Sequence, residues 1–375
     1  MESSFIERLP GGFHETISCP VKTMADLNGR KPKGEKPKPF LDLEATFFKL
    51  ILSGQQQDIQ MPDLFSYELA PIPPSMIDSA GRLRTGNKAT LTERLSVNSS
   101  NSQSPDVIIV DASQIMYHIV WPHEGQPADL VKSIETRLSA YPQFSDKILV
   151  FDKHSTSSAK NHERARRTGN KILEYDLTLN SHLPTRSEIM NNTENKIKLA
   201  SILGAFNYKN NISTDYAGHS GYTHEEADVT IISRVIEYSR THASTIRVLT
   251  NDTDVFVLLV YFVLKHDIQC SIEMEKWDGK ILDINASAKK IGGKALQLPA
   301  MHALTGCDTT PYLFRQGKVA ALNLLLKGNF QELERLGKVD LTDEQLLSAC
   351  MPFVLALYGQ PDKTIEAARF SIFNS

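Results

Sequence analysis

The chain lacks the features that most quickly assign a protein to a class. Its four cysteines (Cys19, Cys270, Cys307 and Cys350) stand far apart and form no CxxC pair. Neither a finger-type zinc site nor a disulfide framework is therefore encoded, and the thiols read as reduced and intracellular. There is no long hydrophobic run. The most apolar stretch, Val255–Leu264, is about half of what a bilayer-spanning helix needs. Residues 1–20 lack a basic segment followed by an apolar one, so no secretory leader is expected. No sign of charge dominates either. The formal net charge is −3, so any surface for a polyanion has to be local. No internal repeat is present.

What is there divides into three zones. Residues 1–104 read as an N-terminal extension. It holds a Pro/Lys-rich stretch at Lys31–Pro39, helical periodicity from Leu41 to Ser53, a Pro-rich connector at Ala70–Pro74 and a Ser/Asn-rich linker at Ser96–Pro105. Residues 105–330 have the rhythm of an α/β domain. Three short apolar runs, Val107–Val110, Ile148–Phe151 and Ile246–Thr250, suit strands buried on both faces. Helical stretches over about 127–140, 158–175, 225–240 and 254–265 lie between or after them. Alternation of this kind predicts a central, mainly parallel sheet with helices on both sides. Beyond about residue 300 the chain reads as helical, with Val319–Leu326 and a capping box, Thr342 with Gln345, ahead of Leu346–Leu357. Residues 331–375 form the C-terminal helical segment.

Each of the three apolar runs is followed by an acid: Asp111, Asp152, and Asp252 with Asp254. An Asp after a strand is often only a helix N-cap. Glu226 and Asp228, beside the apolar face Val229–Ile236, could be no more than a dipole-complementing helix start, and Asp308 no more than a cap. Ligands of a parallel sheet, however, bind beyond the carboxyl ends of its strands, where these acids would converge. Carboxylates gathered without a counter-charge destabilise a fold, and divalent cations remove that cost. An oxygen-only set points to Mg²⁺ or Mn²⁺, two ions, rather than zinc. Two such ions suit phosphodiester hydrolysis. A second feature is basic. From Lys153 to Lys171 there are six cations (Lys153, Lys160, Arg164, Arg166, Arg167 and Lys171) against the single acid Glu163. They read as phosphate contacts beside the metal site, or as one face of a solvated helix.

At these residues the sequence resembles the PIN-like, flap-endonuclease (XPG-type) 5′ nucleases. Val110-Asp-Ala-Ser-Gln-Ile-Met-Tyr117 is similar to their first-strand motif, and Val150-Phe-Asp-Lys153 with the basic run after it to their second acid and arch. Glu226-Ala-Asp228, Asp252-Thr-Asp254 and Thr305-Gly-Cys-Asp308 resemble the later acids. Arg315-Gln-Gly-Lys318, within a helix–two-turn–helix-like segment near 305–326, resembles a reduced form of the element that grips duplex backbone. The resemblance implies a three-layer α/β fold and seven metal-binding, catalytic acids: Asp111, Asp152, Glu226, Asp228, Asp252, Asp254 and Asp308. It adds Arg315 and Lys318 to the nucleic-acid contacts, and it implies a nuclear enzyme cutting nucleic acid, DNA before RNA. Some 100 residues precede the first strand, unlike in those nucleases. The whole chain also resembles uncharacterised multi-copy animal proteins of mobile-element character, through His224-Glu-Glu-Ala-Asp228, Asp252-Thr-Asp-Val255, His302-Ala-Leu-Thr-Gly-Cys-Asp308 and Tyr67–Pro74. Against them it reads as a copy truncated at Ser375. Other readings stay open: a PIN-type ribonuclease on single-stranded RNA, a retired nuclease fold that binds nucleic acid or protein without cutting, or a receiver-like α/β domain. Retention of all seven acids counts against the retired fold, and a receiver-like domain leaves Glu226, Asp228 and Asp308 unexplained.

Overall fold

In the computed structural model, which describes residues 49, 52, 84, 86–100, 103–152, 173–216, 227–241, 243–307, 310–313, 315–338 and 340–373, every apolar run that ends in an acid is a buried strand. Among the described residues seven strands make one sheet: β1 (Val97–Asn98), β2 (Val107–Asp111), β3 (Asp146–Val150), β4 (Ile212–Asp215), β5 (Thr245–Leu249), β6 (Ser271–Glu275) and β7 (Ile281–Asp283). Their order is β1-β7-β6-β5-β2-β3-β4. The five strands from β6 to β4 are mutually parallel, and β7 and β1 add an antiparallel edge.

The helices described are α1 (Ala89–Leu95), α2 (Ala112–His118), α3 (Pro127–Leu138), α4 (Arg186–Met190), α5 (Thr193–Gly204), α6 (Ala227–Ser239), α7 (Thr253–Lys265), α8 (Ile284–Ile291), α9 (Leu298–Leu304), α10 (Lys318–Lys327), α11 (Asp343–Leu357) and α12 (Ile365–Phe373). The layering follows from the two-residue period of the strands. Val107 and Ile109 of β2 face a core built with Ile231, Val235, Phe256 and Val260 of α6 and α7. Ile108 and Val110 face the opposite core, with Ile115, Leu130, Ile134 and Leu203 of α2, α3 and α5. Both faces are covered, which is why β2 is apolar up to Asp111 and β5 is buried along its whole length, Arg247 included. The expected α/β fold with a central, mainly parallel sheet is the fold observed.

Residues 83–362 form one compact unit; Met1–Arg82 and Lys363–Ser375, with α12, form another. The first unit reaches back across the linker expected at 96–105. Leu91 and Leu95 of α1 are core residues, and β1 pairs with β7 inside that stretch. The capping box at Thr342 and Gln345 is made as expected and starts α11. Most of the helix expected over 158–175 lies outside the described residues, and 173–175 are not helical. The helix expected over 41–53 also lies outside them apart from 49 and 52, as do the segments 31–39 and 70–74. Among the described residues no helix is long and apolar enough to cross a membrane.

Candidate metal centre

β2 and β5 are neighbours in the sheet, yet β2 runs on into α2 on one face and β5 into α7 on the other. Between two strands that part company in this way a cleft opens at the carboxyl ends. Asp111 closes β2 and caps α2, its Oδ1 accepting from the Gln114 amide at 3.0 Å. Its Oδ2 accepts from the Thr250 hydroxyl, at the end of β5, at 3.3 Å. Asp252 caps α7 in the same manner, accepting from the Asp254 amide at 2.9 Å, and its own amide donates to Thr250 at 3.1 Å. Asp152, just past β3, accepts from the Ser113 hydroxyl at 2.8 Å and from the Ala227 amide at 3.0 Å. That second bond holds the start of α6 against the sheet edge, and Asp228 is the next residue. Oxygens of Asp228, Asp252 and Asp254 lie within 4.8 Å of one another.

The charges respond as a crowded, poorly hydrated set must. Burial pushes the Asp111 carboxyl up to about 7. The charge of Asp152 and, less, of Asp252 adds to this, against the pull of the Gln114 amide and the Thr250 hydroxyl. Burial and the charges of Asp252, Asp111, Asp152 and Asp254 push Asp228 up to about 8. Asp254 behaves oppositely. Its burial would raise it, but the hydrogen bond from His302 and the charge of Lys88 hold it at about 2. His302 Nε2 lies 2.8 Å from Asp254 Oδ1. Lys88 Nζ lies 3.0 Å from Asp254 Oδ2 and 3.2 Å from Asp252 Oδ1. These residues fit a hard divalent cation such as Mg²⁺ or Mn²⁺. The acids at the centre offer only oxygen, and burial, with the charge of the neighbouring acids added, raises Asp111 and Asp228.

One side of the cleft is aromatic. Gln114 Oε1 accepts from the Asn251 amide at 2.7 Å and from the Trp277 indole at 3.2 Å. This fixes Trp277 to the loop that carries Asp252. His118 stacks on Trp277 with ring centroids 4.6 Å apart, and Arg137 lies 5.4 Å from the same ring.

No protein-family model matches the chain, and no curated protein sequence matches it. A solved structure similar in part is a flap endonuclease, D15 of bacteriophage T5, described as a pseudo-enzyme–product complex with DNA and metal ions. Identity is 13%, the TM-score is 0.40, and the match covers 68% of this chain and 88% of that one. A likeness so slight adds nothing to the geometry above.

Five of the seven acids singled out in the sequence thus meet at one place. Glu226 and Asp308 lie outside the described residues, as do Lys153, Lys160, Arg164, Arg166, Arg167 and Lys171. Arg315 is exposed, with a left-handed backbone at φ 61°. Lys318 differs from expectation. It is 3% exposed, and its ammonium donates to the His302 carbonyl and, at 3.2 Å, to the Thr305 hydroxyl. Burial lowers it to about 8, against the pull of Cys307 and Asp254. So placed, it caps the end of α9 with its ammonium buried. The turn after α9 needs Gly306, whose φ is 97° and where a Cβ would come within 2.7 Å of the Tyr312 backbone. Sequence reasoning missed Lys88 and His302. His302 stood in a block already singled out, six residues before Asp308. Lys88, in a polar run before a helix, carried no signal.

Proposed function

We propose that this chain is a divalent-cation-dependent nuclease that hydrolyses phosphodiester bonds. The observation that carries the reading is the convergence of Asp111, Asp152, Asp228, Asp252 and Asp254. They come from four separate elements to one cleft, with oxygens of three within 4.8 Å and two acids that hold protons near pH 7. A structural role does not account for such a set, because each added carboxylate costs folding stability. Asp228, Asp252 and Asp254 would hold one ion, and Asp111 and Asp152 would contribute to a second. Bound divalent cations supply an activated water and neutralise charge on the leaving oxygen.

The chain's own part is to keep the acids aimed. Thr250 and the Gln114 amide fix Asp111, Ser113 and the Ala227 amide fix Asp152, and His302 fixes Asp254. Asp111 and Asp228 would hold an ion in their deprotonated form. Lys318 would favour duplex DNA as a phosphate contact, but it is buried, so the proposal stops at nucleic acid and leaves strand type to experiment. That experiment is cleavage of end-labelled flap, duplex and single-stranded DNA and RNA by the purified chain in Mg²⁺ or Mn²⁺, with and without chelator. Chelator-sensitive cutting of at least one substrate is expected. Binding without cutting in either metal would identify a retired fold instead.

A further inference from the structure

Lys88 comes from outside the sheet, yet it is built into the centre. Leu91 and Leu95 of α1 are 1% and 2% exposed in the same core as α7. Thr92 donates to the Thr253 hydroxyl at 3.2 Å, which pins α1 to the first residue of α7. The turn ahead of α1 is closed by Asn87, whose side chain accepts from the Ala89 amide at 3.1 Å. Lys88 is therefore delivered by a packed helix start, and its ammonium bridges Asp252 Oδ1 and Asp254 Oδ2. Its side chain is 27% exposed and the two acids are 23% and 18% exposed, so the bridge sits at the mouth of the cleft. Asp254 has its other oxygen on His302. A divalent cation held between Asp252 and Asp254 would take the place of the ammonium that bridges them, and of the two partners of Asp254 the one nearer solvent is Lys88.

Resting on the reading of this cluster as a metal centre, we propose that Lys88 is a resident counter-ion. It stabilises the Asp252–Asp254 side of the cluster before metal arrives, and a divalent cation binding there has to displace it. A mobile monovalent cation on a long side chain is suited to such an exchange, because its charge is lost from the site without leaving the protein.

The exchange predicts an inverse relation between the lysine and metal affinity. Calorimetric titration of Mn²⁺ into the full chain should show Lys88→Met binding about tenfold more tightly than wild type, the factor expected when one partly screened competing charge is removed. Lys88→Arg, which keeps the charge, should bind like wild type. Without metal, Lys88→Met should melt below wild type, and saturating Mn²⁺ should close the gap. If Lys88 only anchored α1, the gap would persist at saturating Mn²⁺ and the affinity would not rise. Equal affinity in wild type and Lys88→Met overturns the counter-ion role while leaving the metal centre intact. Absence of Mn²⁺ binding by all three proteins overturns the metal centre itself, and the counter-ion role with it.

Discussion

Asp111 and Asp252 each do two things that look like rival explanations in a sequence. Each caps a helix, and each belongs to a cluster of five acids. The two roles are compatible because a helix N-terminus at a strand end donates amides to one carboxylate oxygen and leaves the group facing the cleft. Asp228, in the first turn of α6, caps no helix among the described residues. Its substitution should therefore separate stability from function: Asp228→Asn should raise metal-free stability by roughly 1 kcal/mol or more at pH 8 while weakening Mn²⁺ binding, with melting curves and titration as the readouts. The acids also set a pH dependence. Asp111 and Asp228 are raised in the fold, to about 7 and about 8. The stability linked to them is thus fully present below the unfolded value near 4 and is lost as pH rises through 7 to 8. Asp254, held at about 2, has the opposite sign, and its contribution fades only as pH falls towards 2. Metal-free protein should accordingly melt lower at pH 8.5 than at pH 6, and saturating Mn²⁺ should shrink that difference; a flat profile would mean that the acids are not crowded. Asp111, Asp152 and Asp252 were legible in the sequence because three separate apolar runs each end in an acid, a recurrence that single helix caps do not explain. Lys88 and His302 were not, because their role comes from tertiary contact alone.

At the level of elements, strands that hold a continuous apolar run were legible, and β6, which alternates apolar and acidic residues, was not. β6 reads Ser-Ile-Glu-Met-Glu, which suggests an exposed face. Instead Glu273 and Glu275 are buried against Arg247 of β5, at 2.7 and 3.3 Å, and Tyr141 donates to Glu275 at 2.8 Å. This network ties β5, and so the Asp252 loop, to its neighbour on the side away from β2. Arg247→Leu leaves two buried carboxylates without their cation and should cost about 3–5 kcal/mol. Denaturant unfolding measures that cost, and a loss below 1 kcal/mol would show that water already screens the pair. β4 and β7 are short and mixed in polarity, so their pairing, rather than their own sequence, defines them. Lys318 misled for the converse reason. A basic residue after a glycine resembles a phosphate contact, whereas tertiary packing sends it inward to the end of α9.

For the whole molecule, the parallel order around β2 and β5 decides where chemistry can occur, and alternation of strand and helix made that order readable in outline. A formal charge of −3 and an acidic cleft leave the attraction of a polyanion to local cations. The segment 153–171 is the proposed source. Arg166→Glu with Arg167→Glu should weaken nucleic-acid binding and flatten its dependence on salt, since each phosphate contact releases roughly 0.9 counterion on B-DNA. Binding across a salt series with an unaltered slope would exclude these arginines from phosphate contact. The central claim, that the carboxylate cluster carries the reaction, is tested most directly by cleavage with Asp252→Asn at matched Mg²⁺. This variant keeps the side chain's size and its capping oxygen while removing one ligand charge. Loss of cutting by at least about a hundredfold, with the melting curve retained, is the expected result; undiminished cutting by Asp252→Asn would contradict the account.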